Sequence, residues 1–169
     1  EKDLRAGMPI LAARGAPLLV HAELPGLSPI QKLSGRSPNP RDYHSYAASR
    51  PKSWENEAIQ QMVKLCREHH CRVHIVHLSS DEAVEILSKA RREGLPITAE
   101  TCPHYLFFNS ENIPEGATQF KCAPPIRDKE NRENLWAALK QGSIDFIVSD
   151  HSPCDPDLKR LDSGNFLNA

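Results

Sequence analysis

No two cysteines in this chain stand in a CxxC spacing, no run of Lys or Arg interrupts it, and no apolar stretch approaches the roughly 18 residues of a transmembrane helix. The five cysteines, Cys66, Cys71, Cys102, Cys122 and Cys154, are odd in number and widely scattered. That pattern argues against a disulfide framework and against a structural zinc knuckle, and indicates a reducing, intracellular compartment without saying which. A formal net charge of −1 removes the electrostatic footprint of a nucleic-acid binder or a polybasic membrane anchor. The expected partner is therefore a small molecule, with no nucleic acid and no membrane. The opening residues, EKDLRAGMPI, hold no signal-peptide apolar region and no initiator methionine, and they read as mid-domain sequence. Internal repeats and low-complexity tracts are absent.

What is present is the composition of a globular domain, 39% hydrophobic and 25% charged over 169 residues, long enough to bury a core. Four apolar runs predict strands: APLLVHAE (16–23), CRVHIVHLSS (71–80), LPITAETC (95–102) and IDFIVSDHS (144–152). Each is nearly continuous in Val, Ile and Leu, as parallel strands covered on both faces are. Helical periodicity fills the gaps. Ala58, Ile59, Met62, Val63 and Cys66 recur at helical spacing behind an expected N-cap at Ser53. Ala83, Val84, Leu87 and Ala90 do so behind Ser80, with Lys89, Arg91 and Arg92 in the last turn and Gly94 as the stop. Leu135, Trp136 and Leu139 follow Asp128 and close at Gly142, while Pro9 weakens a similar pattern at the start. Alternating helices and strands predict an α/β domain with a parallel sheet and right-handed crossovers. Two long connections, 24–52 and 106–127, each follow a strand's C-terminal end, where α/β domains carry binding loops. The first, rich in Pro, Gly and Ser, is expected to be an irregular lid.

Three of the predicted strands finish on a metal-competent side chain: His21, His77 and Asp150. By strand alternation His77 shares a side with Val73 and Ile75, His21 with Leu19, and Asp150 with Phe146 and Val148, whereas His74 falls opposite His77. A lone strand-end His or Asp is more often structural; three at one end of a sheet are not so easily accidental. Two neutral imidazoles and a carboxylate suit Zn²⁺ or a similar divalent ion, which lowers the pKa of bound water to about 7. Consecutive Asp150, His151 and Ser152 cannot form a relay triad, because neighbours on a strand alternate faces. His69 and His70 read as cations at a helix end, and Cys66 and Cys71 as core thiols. Glu23 shares the side of His21 and either orients it from behind or makes a simple salt bridge. His104 and Tyr105 either reach a substrate or pack.

The ordered motifs LLVHAEL, HIVHLSS, ITAETCPHYL, FKCAPPIR and SDHSPC, spread over essentially the whole chain, resemble those of the cyclic amidohydrolases, the dihydroorotase–hydantoinase superfamily. The resemblance implies a partial (β/α)₈ barrel of the metal-dependent amidohydrolase type, about strands five to eight, with residues 1–169 a fragment of one catalytic domain truncated at both ends. A whole barrel takes about 250 residues. It further implies two divalent ions, Zn²⁺ by expectation, held in part by His21, His77 and Asp150. The family's HxH of strand one and bridging lysine of strand four are not present, so this chain would carry at most a partial site and be inactive alone. The implied reaction opens the hydantoin ring of (S)-allantoin to allantoate, with Asp150 as general base and then acid. Cys122 and Ala123, His104 and Ser152 are the implied substrate contacts; Ala123 stands where relatives often carry serine. A homo-oligomer is implied for the full-length protein. Alternatives are dihydropyrimidinase or hydantoinase, dihydroorotase, or a non-catalytic truncated isoform or scaffold.

Overall fold

In the computed structural model, residues 1–24 and 39–169 are described. The elements run α1 (Lys2–Ala13), β1 (Leu18–Val20), α2 (Tyr43–Ser49), α3 (Lys52–His69), β2 (Val73–Ile75), α4 (Ala83–Arg92), β3 (Ile97–Thr101), α5 (Pro103–Phe107), α6 (Lys129–Lys140) and β4 (Phe146–Ile147). The four strands form one parallel sheet in the order β1-β2-β3-β4, so each strand pairs with the next in sequence across a helical crossover. This is the α/β class that the alternation predicts.

Registers set two faces. Leu18 pairs with Val73 and Val73 with Ile97; Val20 pairs with Ile75 and Ile75 with Ala99. That row packs against the helices: Val73, Ile75, Ile97 and Ala99 are buried beside Ile59, Met62, Leu87 and Leu135. Each buried Val, Ile, Leu or Met among these contributes about 1.5–3 kcal/mol by leaving water. The opposite row is Leu19, His74 and Thr98, continued by the Glu100–Phe146 pair. Leu19 is 62% and Phe146 47% exposed, so this face of the sheet is largely uncovered. His74 is the exception: its Nδ1 lies 2.7 Å from Thr98 Oγ1, its Nε2 2.9 Å from Glu100 Oε2, and its ring stacks on Phe146.

Several boundaries differ from expectation for stated reasons. The strands are shorter than the apolar runs, because ladder pairing ends at Val20, Ile75, Thr101 and Ile147 before the chain turns out. Ser53 lies inside the first turn of α3 rather than capping it, and Ser80 donates to Asn56 Oδ1 at 2.8 Å while α4 begins at Ala83. Asp128 does cap α6, its Oδ1 accepting from Asn131 N at 2.8 Å. Pro9 is accommodated inside α1. The connection from 24 to 52 is not irregular throughout. Asp42 accepts from the backbone of His44 and Ser45 and starts α2, whose Tyr43 and Tyr46 are buried against Phe166. The lid expectation for 25–38 lies outside the described residues. None of the described helices is long and apolar enough to cross a membrane.

Candidate metal centre

His21 follows β1 by one residue and His77 follows β2 by two, so adjacent parallel strands deliver the two rings to the same end of the sheet. His21 Nδ1 and His77 Nε2 stand 2.9 Å apart, with ring centroids 4.6 Å apart in an edge-on arrangement. Strand alternation does not explain this meeting. The ladder stops at Ile75, and His77 adopts φ +41°, a left-handed conformation that turns the chain and swings the ring to His21. Asp150 does the same beyond β4, at φ +47°. Non-glycine residues held there cost on the order of 1–3 kcal/mol, and such positions cluster at functional sites.

The proton arrangement follows from the neighbours. Glu23, with a side chain only 3% exposed, lies 3.0 Å from His21 Nε2 and also accepts from Arg50 Nε at 3.1 Å and from Arg50 Nη2. Burial pushes the Glu23 carboxyl up, but hydrogen bonds from His21 and Arg50 outweigh it and hold the group below the ordinary carboxylate range. An ionised Glu23 can only accept, so His21 Nε2 carries a proton. His21 Nδ1 is then the acceptor for His77 Nε2–H, which leaves His77 Nδ1 as a bare lone pair. That nitrogen is buried and has no hydrogen-bond partner. Burial first, and repulsion from His21 second, lower the His77 pKa and keep the ring neutral. Two imidazole nitrogens facing each other at 2.9 Å, with the buried His77 Nδ1 free to take up the proton between them, fit a borderline divalent cation.

Asp150 is exposed and lies within electrostatic reach of His77 and His104, favouring the protonated form of each. His104, at the start of α5, is half-buried; burial pulls its pKa down and its ring tilts against Tyr105 at 4.2 Å. Cys122 is partly buried, its thiol pushed up to about 11 by burial, and its carbonyl accepts from Tyr46 OH at 2.7 Å. Ala123 and Ser152 are exposed. The structure thus brings His21, His77 and Glu23 into direct contact and leaves Asp150 and His104 beside them. Among the described residues no group of three or more His, Cys, Asp or Glu side chains is closed tightly enough to hold an ion by itself. Cys66 and Cys71 are buried, as core thiols should be.

Sequence reasoning overlooked Glu55, Arg127 and Arg50, which underlie the site. One signal was available: Glu55 sits three, four and seven residues before Ala58, Ile59 and Met62, a charged residue on an apolar stripe.

No protein-family model matches the chain. Its sequence is 44% identical to the allantoinase of Arabidopsis thaliana over 174 residues, covering 98% of this chain and 34% of that protein. It is 46% identical to a mitochondrial allantoinase of Aquarana catesbeiana (99% and 34% covered) and 44% identical to the allantoinase of Saccharomyces cerevisiae (98% and 36%). Its sequence relatives are allantoinases. The chain spans about a third of the length of these curated allantoinases. Among solved structures, D-hydantoinase from Bacillus sp. AR9 superposes with a TM-score of 0.84 at 28% identity, over 99% of this chain and 38% of that one. L-hydantoinase (dihydropyrimidinase) from Arthrobacter aurescens gives 0.80 at 32% identity, over 99% and 36%. The fold is therefore part of a hydantoinase-type amidohydrolase barrel, as the motif resemblance implies.

Proposed function

We propose that this chain is the segment of an allantoinase-type hydrolase that holds His21, His77 and Asp150, contributing strands five to eight of a single catalytic barrel. The observation that carries the reading is the His21–His77 contact at adjoining strand ends, in a chain so similar to allantoinases along its length. His21 and His77 would hold a divalent ion, Zn²⁺ by the chemistry of two imidazoles. When bound, that ion would supply Lewis acidity at the scissile carbonyl and acidify water. Glu23 fixes the His21 ring and burial keeps His77 neutral; the proton between His21 Nδ1 and His77 Nε2 would pass to His77 Nδ1 as the ion enters, so that the two facing nitrogens offer it lone pairs.

Asp150 then handles the proton. The water oxygen bonds to the ring carbonyl carbon of (S)-allantoin while its proton passes to the Asp150 carboxylate; the C–N bond breaks, and the same proton goes to the departing ring nitrogen, giving allantoate. His104, half-buried and within electrostatic reach of Asp150, would contact the ring. The site remains partial in this chain, because a second ion needs ligands from elsewhere in the barrel.

A second reading, hydantoinase or dihydropyrimidinase activity, draws on the structural neighbours, which are hydantoinases. Steady-state assays of the full-length polypeptide on allantoin, dihydrouracil and dihydroorotate separate the readings. The proposal expects kcat/KM for allantoin to exceed the others by at least about 100-fold, a gap of roughly 3 kcal/mol in transition-state stabilisation. A preference for dihydrouracil would overturn it in favour of the second reading.

A further inference from the structure

The two imidazoles are joined a second time, behind the site, by a run of hydrogen bonds that begins exposed at His21 and ends buried at Ser79. From His21 the path goes to Glu23 and then to Arg50, which grips that carboxylate through Nε and Nη2. The Arg50 carbonyl accepts from Arg127 Nη1 at 2.7 Å, and Arg127 Nε donates to Ser79 Oγ at 3.3 Å. Ser79 stands two residues after His77, on the turn whose left-handed start aims that ring. Its N–H donates to Glu55 Oε1 at 2.7 Å and its hydroxyl to the Pro125 carbonyl at 2.7 Å, so the turn is pinned at both groups. Since His77 touches His21 directly, the path closes into a ring with Arg127 at its joint.

The joint is costly. The side chains of Arg127 and Glu55 are 5% and 2% exposed, Arg127 Nη2 and Glu55 Oε2 stand 3.9 Å apart, and neither of those two atoms has a hydrogen-bond partner. A buried pair so loosely closed is a weak source of stability, and an apolar pair of the same volume would serve a core as well. What a guanidinium supplies here is a planar fork. It engages the Arg50 carbonyl and the Ser79 hydroxyl in one plane at a fixed separation, which an ammonium cannot do.

We propose that Arg127 is a positioning residue that sets the separation of the His21 and His77 rings for a shared ion, acting through Ser79 on one side and through Arg50 and Glu23 on the other. The inference rests on the reading of those two histidines as ligands, and goes beyond it by assigning what holds them.

The test uses the full-length polypeptide and Zn²⁺ alone as probe. Zinc affinity is measured by calorimetry, and the ring nitrogens of His21 and His77 are followed by ¹⁵N NMR in the metal-free protein at one pH. Two variants are compared: Arg127→Lys at the joint and, because a buried substitution can unfold the chain, Arg50→Lys at a partly exposed position. The expected result is a loss of zinc affinity of about tenfold to a hundredfold in each folded variant, the usual effect of removing a partner that orients ligands. The ring signals of both histidines should move in each variant, although neither mutated side chain touches either ring, with the amide fingerprint otherwise retained. Zinc affinity within twofold of the parent in the folded variants, or loss only in proportion to unfolded protein, would overturn the inference. If zinc affinity responds as stated while allantoin is not turned over, the proposed substrate fails and the inference stands. Turnover of allantoin with zinc affinity indifferent to both variants removes the inference alone.

Discussion

On the proposed reading Asp150 and His77 carry different burdens, and substitution separates them. In the full-length protein Asp150→Asn should leave most of the bound metal but lower kcat at least about 1000-fold, within the range that positioned acid–base groups supply, whereas His77→Ala should lower metal content itself, read by elemental analysis. His77 also holds φ +41°, a conformation glycine adopts without strain. His77→Gly should therefore be more stable than His77→Ala by about 1 kcal/mol while binding metal no better, which chemical denaturation of the two variants measures. Glu55 gives a pH signature: burial pushes its carboxyl up to about 7 from an ordinary 4.5, against the pull of Arg127. The folded state therefore keeps this proton when the unfolded chain has lost it. Stability from this group is full below pH about 4.5 and declines as pH rises towards about 7, and Glu55→Gln should flatten that part of the stability–pH curve. At this scale the identities of His21 and His77 were legible in sequence because each ends an apolar run. Their contact was not, since it depends on a left-handed turn that breaks the alternation on which a strand argument relies. Arg127 lay in plain view inside FKCAPPIR, but its partners come from α3, the HLSS turn and the end of α2, which no local pattern connects.

Elements were legible where period and caps agree. The stripes of α3, α4 and α6 emerge at the expected positions, and Asp128 caps α6 as such a residue should. Strand lengths were overestimated because an apolar run continues past the last ladder bond, and it is the continuation that bears His77 and Asp150. Hidden from the sequence were α2, inside the first long connection, and α5, across the start of the second, each too short for a periodic stripe to be read. The C-terminal segment is held against α2 by Phe166, fully buried between Tyr43 and Tyr46, and by Arg41, whose guanidinium lies between Gly116 and Gly164 and donates to the Ser163 carbonyl. Gly164 has φ +61°, and a Cβ there would lie 2.8 Å from Gly116 Cα. Gly164→Ala should destabilise by about 1–3 kcal/mol and release this segment first, seen as faster hydrogen exchange across 156–169 with little change in β2.

For the molecule as a whole, the uncovered sheet face decides behaviour. Leu19, Phe146 and Ile147 are 62%, 47% and 42% exposed, and among the described residues β1 and β4 each have an unpaired edge. In a closed eight-stranded barrel that face is the filled interior. The 169-residue chain by itself should self-associate in sedimentation velocity, and should form allantoate only when the rest of the barrel is supplied. The class of fold was readable from alternation, because a chain of short apolar strands and amphipathic helices has few other solutions. That the sheet would be left open was readable only from motif resemblance and length, since local patterns are the same in half a barrel as in a whole one. If His21 and His77 share an ion beside Asp150, zinc-edge anomalous scattering from crystals of the full-length protein shows it most directly. A peak about 2.0–2.1 Å from a ring nitrogen of each histidine, with the Asp150 carboxylate facing it, is the predicted result. A zinc peak bound elsewhere, with the His21–His77 hydrogen bond intact, would contradict it.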